Sequence, residues 1–277
     1  MTLKMLIIAA FLGQIALISY WIPRQRLGRL LYLMDAYPPA THPRLYPRPI
    51  EFYERAQRSY RLANRFMVLL GLTLAGVLWI VPGAEEWTHF TLTSFFLLQM
   101  TPLVLLDRGS LGLSDLFRQA QGSQRTADLR PRRVRDYAPS HLVWTAVAAF
   151  AVLLGVLGYA STLNLEWFSA GANLAVLGGG HLFMLMLATW TVRRRKSNPF
   201  QATEDHDRQL EFVVRTMLLT SIAVTLYAAG SITMAALELR HFQALGLTLY
   251  FQLLAWFSLT PPHSRNFEVY REEPATS

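Results

Sequence analysis

The sequence predicts an all-α integral membrane protein: a bundle of seven transmembrane helices, N-terminus outside and C-terminus in the cytoplasm. Three observations predict it. Of 277 residues, 52% are hydrophobic and only 16% charged, where a soluble domain carries about 25% charged residues. Seven apolar runs stand at 3–22, 66–81, 90–106, 142–159, 170–192, 213–237 and 242–259. A helix rising ~1.5 Å per residue needs about 20 such residues to cross a ~30 Å hydrocarbon core. The basic residues fall on alternate connections. Loops 23–65, 107–140 and 193–212, with Arg215 and the tail from 260, hold 24 of the 26, leaving Lys4 and Arg240 for the other side. Such a split puts those loops in the cytoplasm.

The first run is longer than a signal-peptide core and lacks an A-x-A-like site after it, so a retained helix is expected, ended by Pro23. Residues 25–34 place Leu27, Leu30, Leu31 and Met34 at helical spacing opposite arginines. That is an amphipathic segment, for the headgroup plane or for packing under the bundle. Residues 37–53 hold five prolines and four aromatics, which forbids helix. A stiff linker tucked beneath the helices is expected there, or a docking surface. A helix bearing Arg55, Arg58, Arg61 and Arg65 then runs straight into the second span.

Spans two to seven form three antiparallel hairpins after the single first span, together one transmembrane domain over 1–277. The turn 82–89 is short, Pro102 is placed to kink span three, and loop 107–140 is densest in arginine at 130–136. Trp21, Trp87 and Trp167 fall at span ends, as an aromatic belt requires. The outer turns share a glutamate shortly before a phenylalanine: Glu86 and Phe90, Glu166 and Phe168, Glu238 and Phe242. A repeat of like-oriented hairpins accounts for this, as does chance among apolar segments.

Candidate site residues come from depth. His181, after Gly178, Gly179 and Gly180, is the one ionisable group deep in an apolar run. Gln14, Gln99 and Gln252 lie at matching depth in the other odd-numbered spans, all four within a layer roughly 5 Å thick. Spans two, four and six offer only Ser, Thr and Tyr as interior polar side chains. Intramembrane ionisable residues point to a ligand or proton site, while interhelical hydrogen bonding is the plain structural role. Further metal candidates are His89 and His241 at outer helix ends, and Asp205, His206 and Asp207. Consecutive helix residues diverge, so that acidic run fits a helix N-terminus better, with Thr203 as cap. No resident metal or cofactor is expected.

Cysteine is absent, which removes disulfides, thiolate metal sites and cysteine nucleophiles. No hydrolase, zincin or P-loop motif occurs. A retinal Schiff base needs a lysine inside the membrane, but Lys4 and Lys196 sit at span ends. The formal charge of +8 is topological, so no nucleic-acid partner is expected. The preference of arginine over lysine points to a GC-rich bacterial genome, hence a multi-pass protein of the cell inner membrane. Its expected role is a non-catalytic membrane subunit, scaffold or sensor, whose loops 23–65 and 107–140 meet lipid or a protein partner. A small-solute transporter or channel with a polar layer around His181 comes second. A membrane enzyme acting on a lipid-soluble substrate comes third.

Overall fold

The computed structural model describes residues 3–81, 88–120, 132–163, 165–194, 200–260 and 266–271, with backbone alone at 104, 105 and 107–120. Every regular element among them is helical. Seven long helices run in order: α1 (Leu3–Ala36), α2 (Ile50–Ile80), α3 (Thr88–Ala120), α4 (Ser140–Thr162), α5 (Ala170–Arg193), α6 (Thr203–Ala236) and α7 (Gln243–Ser258). Five of these, α1, α2, α4, α5 and α6, are long and apolar enough to cross a membrane. Among the described residues the chain therefore has the elements of a membrane protein.

The sequence expectation that Pro23 ends the first helix is corrected. The helix passes through Pro23 to Ala36 by widening into a π-helical segment, Ala16–Trp21, just before it. Proline lacks the N–H for the Ser19 carbonyl four residues back, and its ring would press on that carbonyl. The wide turn relieves both, and the Ile22 N–H reaches back five residues to Leu17. The amphipathic segment 25–34 is thus the continuation of α1. Two other helices also outrun their expected spans. α3 continues beyond Pro102 and through 107–120, where no further proline interrupts it. α6 starts at Thr203 with Glu204 and Asp205 in its first turn, where the helix dipole favours acidic groups. At its far end, Glu238 takes the left-handed conformation (φ 61°) and the Leu239 N–H returns to the Met234 carbonyl, a Schellman-type stop usually made with glycine.

Contacts divide the chain into two compact units. One, here the N-terminal unit, comprises Phe11–Leu129, Arg195–His206 and His263–Ser277. Its core comes from 3.6-residue periodicity. Phe11, Ile15, Ile18 and Ile22 line α1; Met67, Gly71, Ala75 and Leu78 line α2; Leu92, Phe95 and Leu103 line α3. The rings of Phe11 and Phe95 meet edge-on at 5.3 Å. The C-terminal unit comprises Met1–Ala10, Arg130–Arg194 and Asp207–Pro262. Its core sets Leu153, Leu157 and Ala160 of α4 against Ala229 and Ile232 of α6, with Phe150, Phe168 and Leu177 around them. Much apolar surface stays uncovered: Trp144, Val176, Leu182 and Trp190 are all exposed. In the most apolar stretch of α5 only 11% of residues are buried. Faces this apolar need lipid or another protein over them.

Among the described glycines of the N-terminal unit, Gly71 is the one a Cβ would not fit. A Cβ there would lie 2.6 Å from the Phe95 ring and 2.8 Å from the Ile15 side chain, whereas at Gly76 nothing lies within 4 Å. Gly71→Ala should therefore cost about 1–3 kcal/mol through overpacking, and Gly76→Ala should leave stability within about 1 kcal/mol of wild type. Unfolding of the two purified variants in detergent checks this, and equal effects would contradict the packing described.

Candidate functional site

The buried polar groups of the N-terminal unit form a chain of donors and acceptors. Gln14 Nε2 donates to Gln99 Oε1 at 2.8 Å. Gln99 Nε2 in turn donates to Ser19 Oγ at 2.9 Å. All three residues are buried, Gln14 completely. Gln14 reaches inward from α1 between Phe11 and Ile18, and Ser19 is carried on the π-helical turn that Pro23 imposes. α1 thus approaches α3 through two polar contacts within an otherwise apolar face. These amides cross-link helices, which in an apolar medium is worth roughly 0.6–2 kcal/mol per bond.

His181 lies in the C-terminal unit, half-buried on α5. Its Nδ1 is 2.6 Å from the Leu177 carbonyl, and its Nε2 is 2.8 Å from Thr225 Oγ1 on α6. The Phe150 ring stands edge-on at 5.4 Å. A carbonyl only accepts, so Nδ1 carries a proton and Nε2 of the neutral ring accepts from Thr225. Thr225 Oγ1 also lies 2.8 Å from the Ser221 carbonyl. Its one hydroxyl proton can serve Nε2 or that carbonyl. Protonation of the ring reverses the choice without breaking the framework: Nε2–H then donates to Thr225, and Thr225 donates to Ser221. Chemically, this is a helix cross-link able to take up a proton. Gly178, Gly179 and Gly180 meet nothing within 4 Å of a Cβ position, so they do not serve tight packing among the described residues.

Gln252 donates through Nε2 to the Ala10 carbonyl at 2.9 Å within the C-terminal unit. Of the four residues placed in one layer by depth, Gln14 and Gln99 thus meet, while His181 and Gln252 each find another partner. None of the four is exposed. Sequence reasoning missed Ser19 and Thr225 as partners. Ser19 stands four residues before a proline, where a helix must adjust. Thr225 is one of several serines and threonines in span six, and nothing in the sequence sets it apart from Thr216, Thr220 or Ser221.

The acidic run divides between the units. Asp205 and His206 are buried in the N-terminal unit. Asp205 Oδ2 accepts the Asn266 N–H at 3.1 Å. Beside it, Phe267 and Tyr270 are buried, and Phe267 packs on Tyr37 at 4.8 Å with the Arg29 guanidinium 5.9 Å from its ring. The proline-rich segment is ordered next to them. It makes a 3-10 turn at Pro43–Leu45, Tyr46 Oη donates to the Leu33 carbonyl at 3.2 Å, and His42 stands edge-on to Tyr37. Asp207, in the C-terminal unit, accepts from Tyr137 Oη at 3.1 Å. Burial first, then this Asp207 bond, pushes the Tyr137 hydroxyl above its usual pKa. Thr203 is the first helical residue and not the cap.

His89 opens α3 in one unit, and His241 lies in the 3-10 turn Arg240–Phe242 of the other, its ring 4.4 Å from that of Phe242. Among the described residues, no three His, Asp or Glu side chains converge as metal ligands. Glu86, Trp87, Arg125 and Arg130 lie outside the described residues. Comparison with known protein families, curated proteins and solved structures finds no match for this chain.

Two outcomes follow from these geometries. Gln99→Leu strands both Gln14 Nε2 and the Ser19 hydroxyl, so it should cost about 1–2 kcal/mol. Gln14→Leu strands only one atom and should cost less, and the double variant should cost less than the sum, as measured by unfolding in detergent. Strict additivity would break the chain of bonds described. The second concerns pH. Burial, and then the Asp205 charge, push the Tyr270 hydroxyl up to about 12 from 10.0. The folded value is raised, so its contribution is complete below pH 10 and lost as pH rises through about 12. Tyrosinate absorbance titrating near 12 should fall by the amplitude of one tyrosine in Tyr270→Phe; a loss of that amplitude at 10.0 instead would mean that the tail does not dock.

Proposed function

We propose that this chain is a multi-pass protein of the cell inner membrane that acts as a non-catalytic subunit, scaffold or sensor. In this reading α3 and α7 cross the membrane along with the five longer apolar helices, giving seven spans with the N-terminus outside. Loops 23–65 and 107–140 then form a basic cytoplasmic face for an acidic protein partner or anionic lipid. The observation that carries the reading is the placement of 24 of 26 basic residues on one side of the expected spans. Its non-catalytic part draws support from the interior polar groups. Gln99, His181 and Gln252 are engaged by other protein groups, in the manner of helix cross-links.

The runner-up is a transporter or proton path centred on His181. It is favoured by one observation, the Thr225 hydroxyl placed between Nε2 and a second acceptor. Reconstitution separates the two readings. Vesicles holding the full chain and a trapped pH dye should keep an imposed proton gradient as long as empty vesicles do. A leak that His181→Ala abolishes, with insertion unchanged, overturns the non-catalytic reading in favour of the second.

A further inference from the structure

Four arginines share one face of α2. At 100° per residue, Arg55, Arg58, Arg61 and Arg65 fall within an arc of about 120°, and all are exposed. The opposite face is the buried one, with Gln57, Tyr60, Asn64 and Met67. No described residue pairs with any of the four guanidinium groups. The exposed face turns apolar without a break: Leu62 is 68% exposed, Phe66 58%, Leu69 64% and Ile80 76%. The two stretches overlap, because Leu62 stands between Arg58 and Arg65.

Depth makes the overlap informative. From Leu62 to Val81 the helix rises roughly 30 Å, the full thickness of a hydrocarbon core. With α2 read as a span, Arg65 adjoins the apolar run 66–81 and stands within one turn of the membrane boundary, on the outward face. A guanidinium does not deprotonate, and an unpaired charge is expensive at that depth. Its flexible stem carries it back toward the boundary. The anion resident there is a lipid phosphate, and Arg61, on the adjacent turn, can share it in a charge-assisted pair. An acidic protein could reach Arg55, but not a guanidinium collared by lipid-facing leucines.

We propose that this face of α2 binds an anionic phospholipid. Arg58, Arg61 and Arg65 hold the phosphate, and Phe66, Leu69 and Leu72 carry an acyl chain. The site rests on the reading of α2 as a membrane span and assigns lipid to one part of the basic face.

The test uses the full chain in vesicles of phosphatidylcholine, with and without phosphatidylglycerol. The chain should stay with either vesicle through an alkaline carbonate wash; its release would overturn the span reading itself. Phosphatidylglycerol should raise the unfolding temperature over phosphatidylcholine alone. Arg61→Gln/Arg65→Gln should lose that shift with its stability in phosphatidylcholine unchanged, and Arg240→Gln should keep it. In native mass spectra, the retained phosphatidylglycerol should fall roughly fivefold per arginine removed. An equal shift in wild type and double variant overturns the site. So does an equal shift from soluble glycerol phosphate, which would mean a free-anion site. Loss of a bound acidic protein in the variant, with the lipid preference intact, assigns the face to that protein and also overturns it.

Discussion

A polar group that leaves water among apolar helices is costly unless it finds a partner inside the protein, and this constraint shapes the fold; Gln14 Oε1, buried without a hydrogen bond among the described residues, is an exception to it. The backbone meets it with helices, the one kind of regular element among the described residues. The side chains meet it locally. Gln14, Gln99 and Ser19 bond in series, His181 takes Thr225, Gln252 takes a backbone carbonyl, and threonines such as Thr73 and Thr189 bond back four residues along their own helices. Each bond is weak as stabilisation, but leaving one unmade costs more than making it returns. Register between helices is therefore fixed at these few points, and dispersion fills in between.

The N-terminal unit shows how one residue sets this arrangement. Pro23 cannot sit in a regular α-helix without disturbing the turn before it. The chain answers with a π-helical turn, which lets α1 run on to Ala36 and places Ser19 for Gln99. The same stretch of α1 brings Ile15 against Gly71, where only hydrogen fits. A local conflict between proline and helix is resolved by geometry that also supplies a polar contact. Outside the apolar part, aromatic and charged groups take over. Tyr37, Phe267, Tyr270 and Arg29 hold the tail beside Asp205, so the acidic turn of α6 serves as an anchor for chain.

Much of this was legible in the sequence, because hydrophobic length and periodicity are local properties. The helices, the join of the arginine-bearing segment to the second span and the inward placement of Gln14 and Gln99 follow from spacing. The passage of α1 through Pro23 was not legible, since proline ordinarily stops a helix and the π-turn that rescues it has no composition of its own. Nor were the partners. Which serine or threonine meets which amide depends on the rotation of two helices about their axes, a tertiary quantity. The unit boundary within the acidic run was hidden for the same reason: Asp205 and Asp207 are near neighbours in sequence but point to different partners.

The proposed topology puts the arginine-rich connections on one side of a membrane. The chain has no cysteine, so a single introduced thiol reports its own side without background. The most direct measurement is labelling of intact cells with a membrane-impermeant maleimide, using Glu166→Cys, Leu239→Cys, Ser59→Cys and Thr260→Cys, each exposed in the fold. Glu166→Cys and Leu239→Cys should label from outside, while Ser59→Cys and Thr260→Cys should label only after the cells are opened. Labelling of Ser59→Cys in intact cells, or protection of Glu166→Cys, would contradict the account.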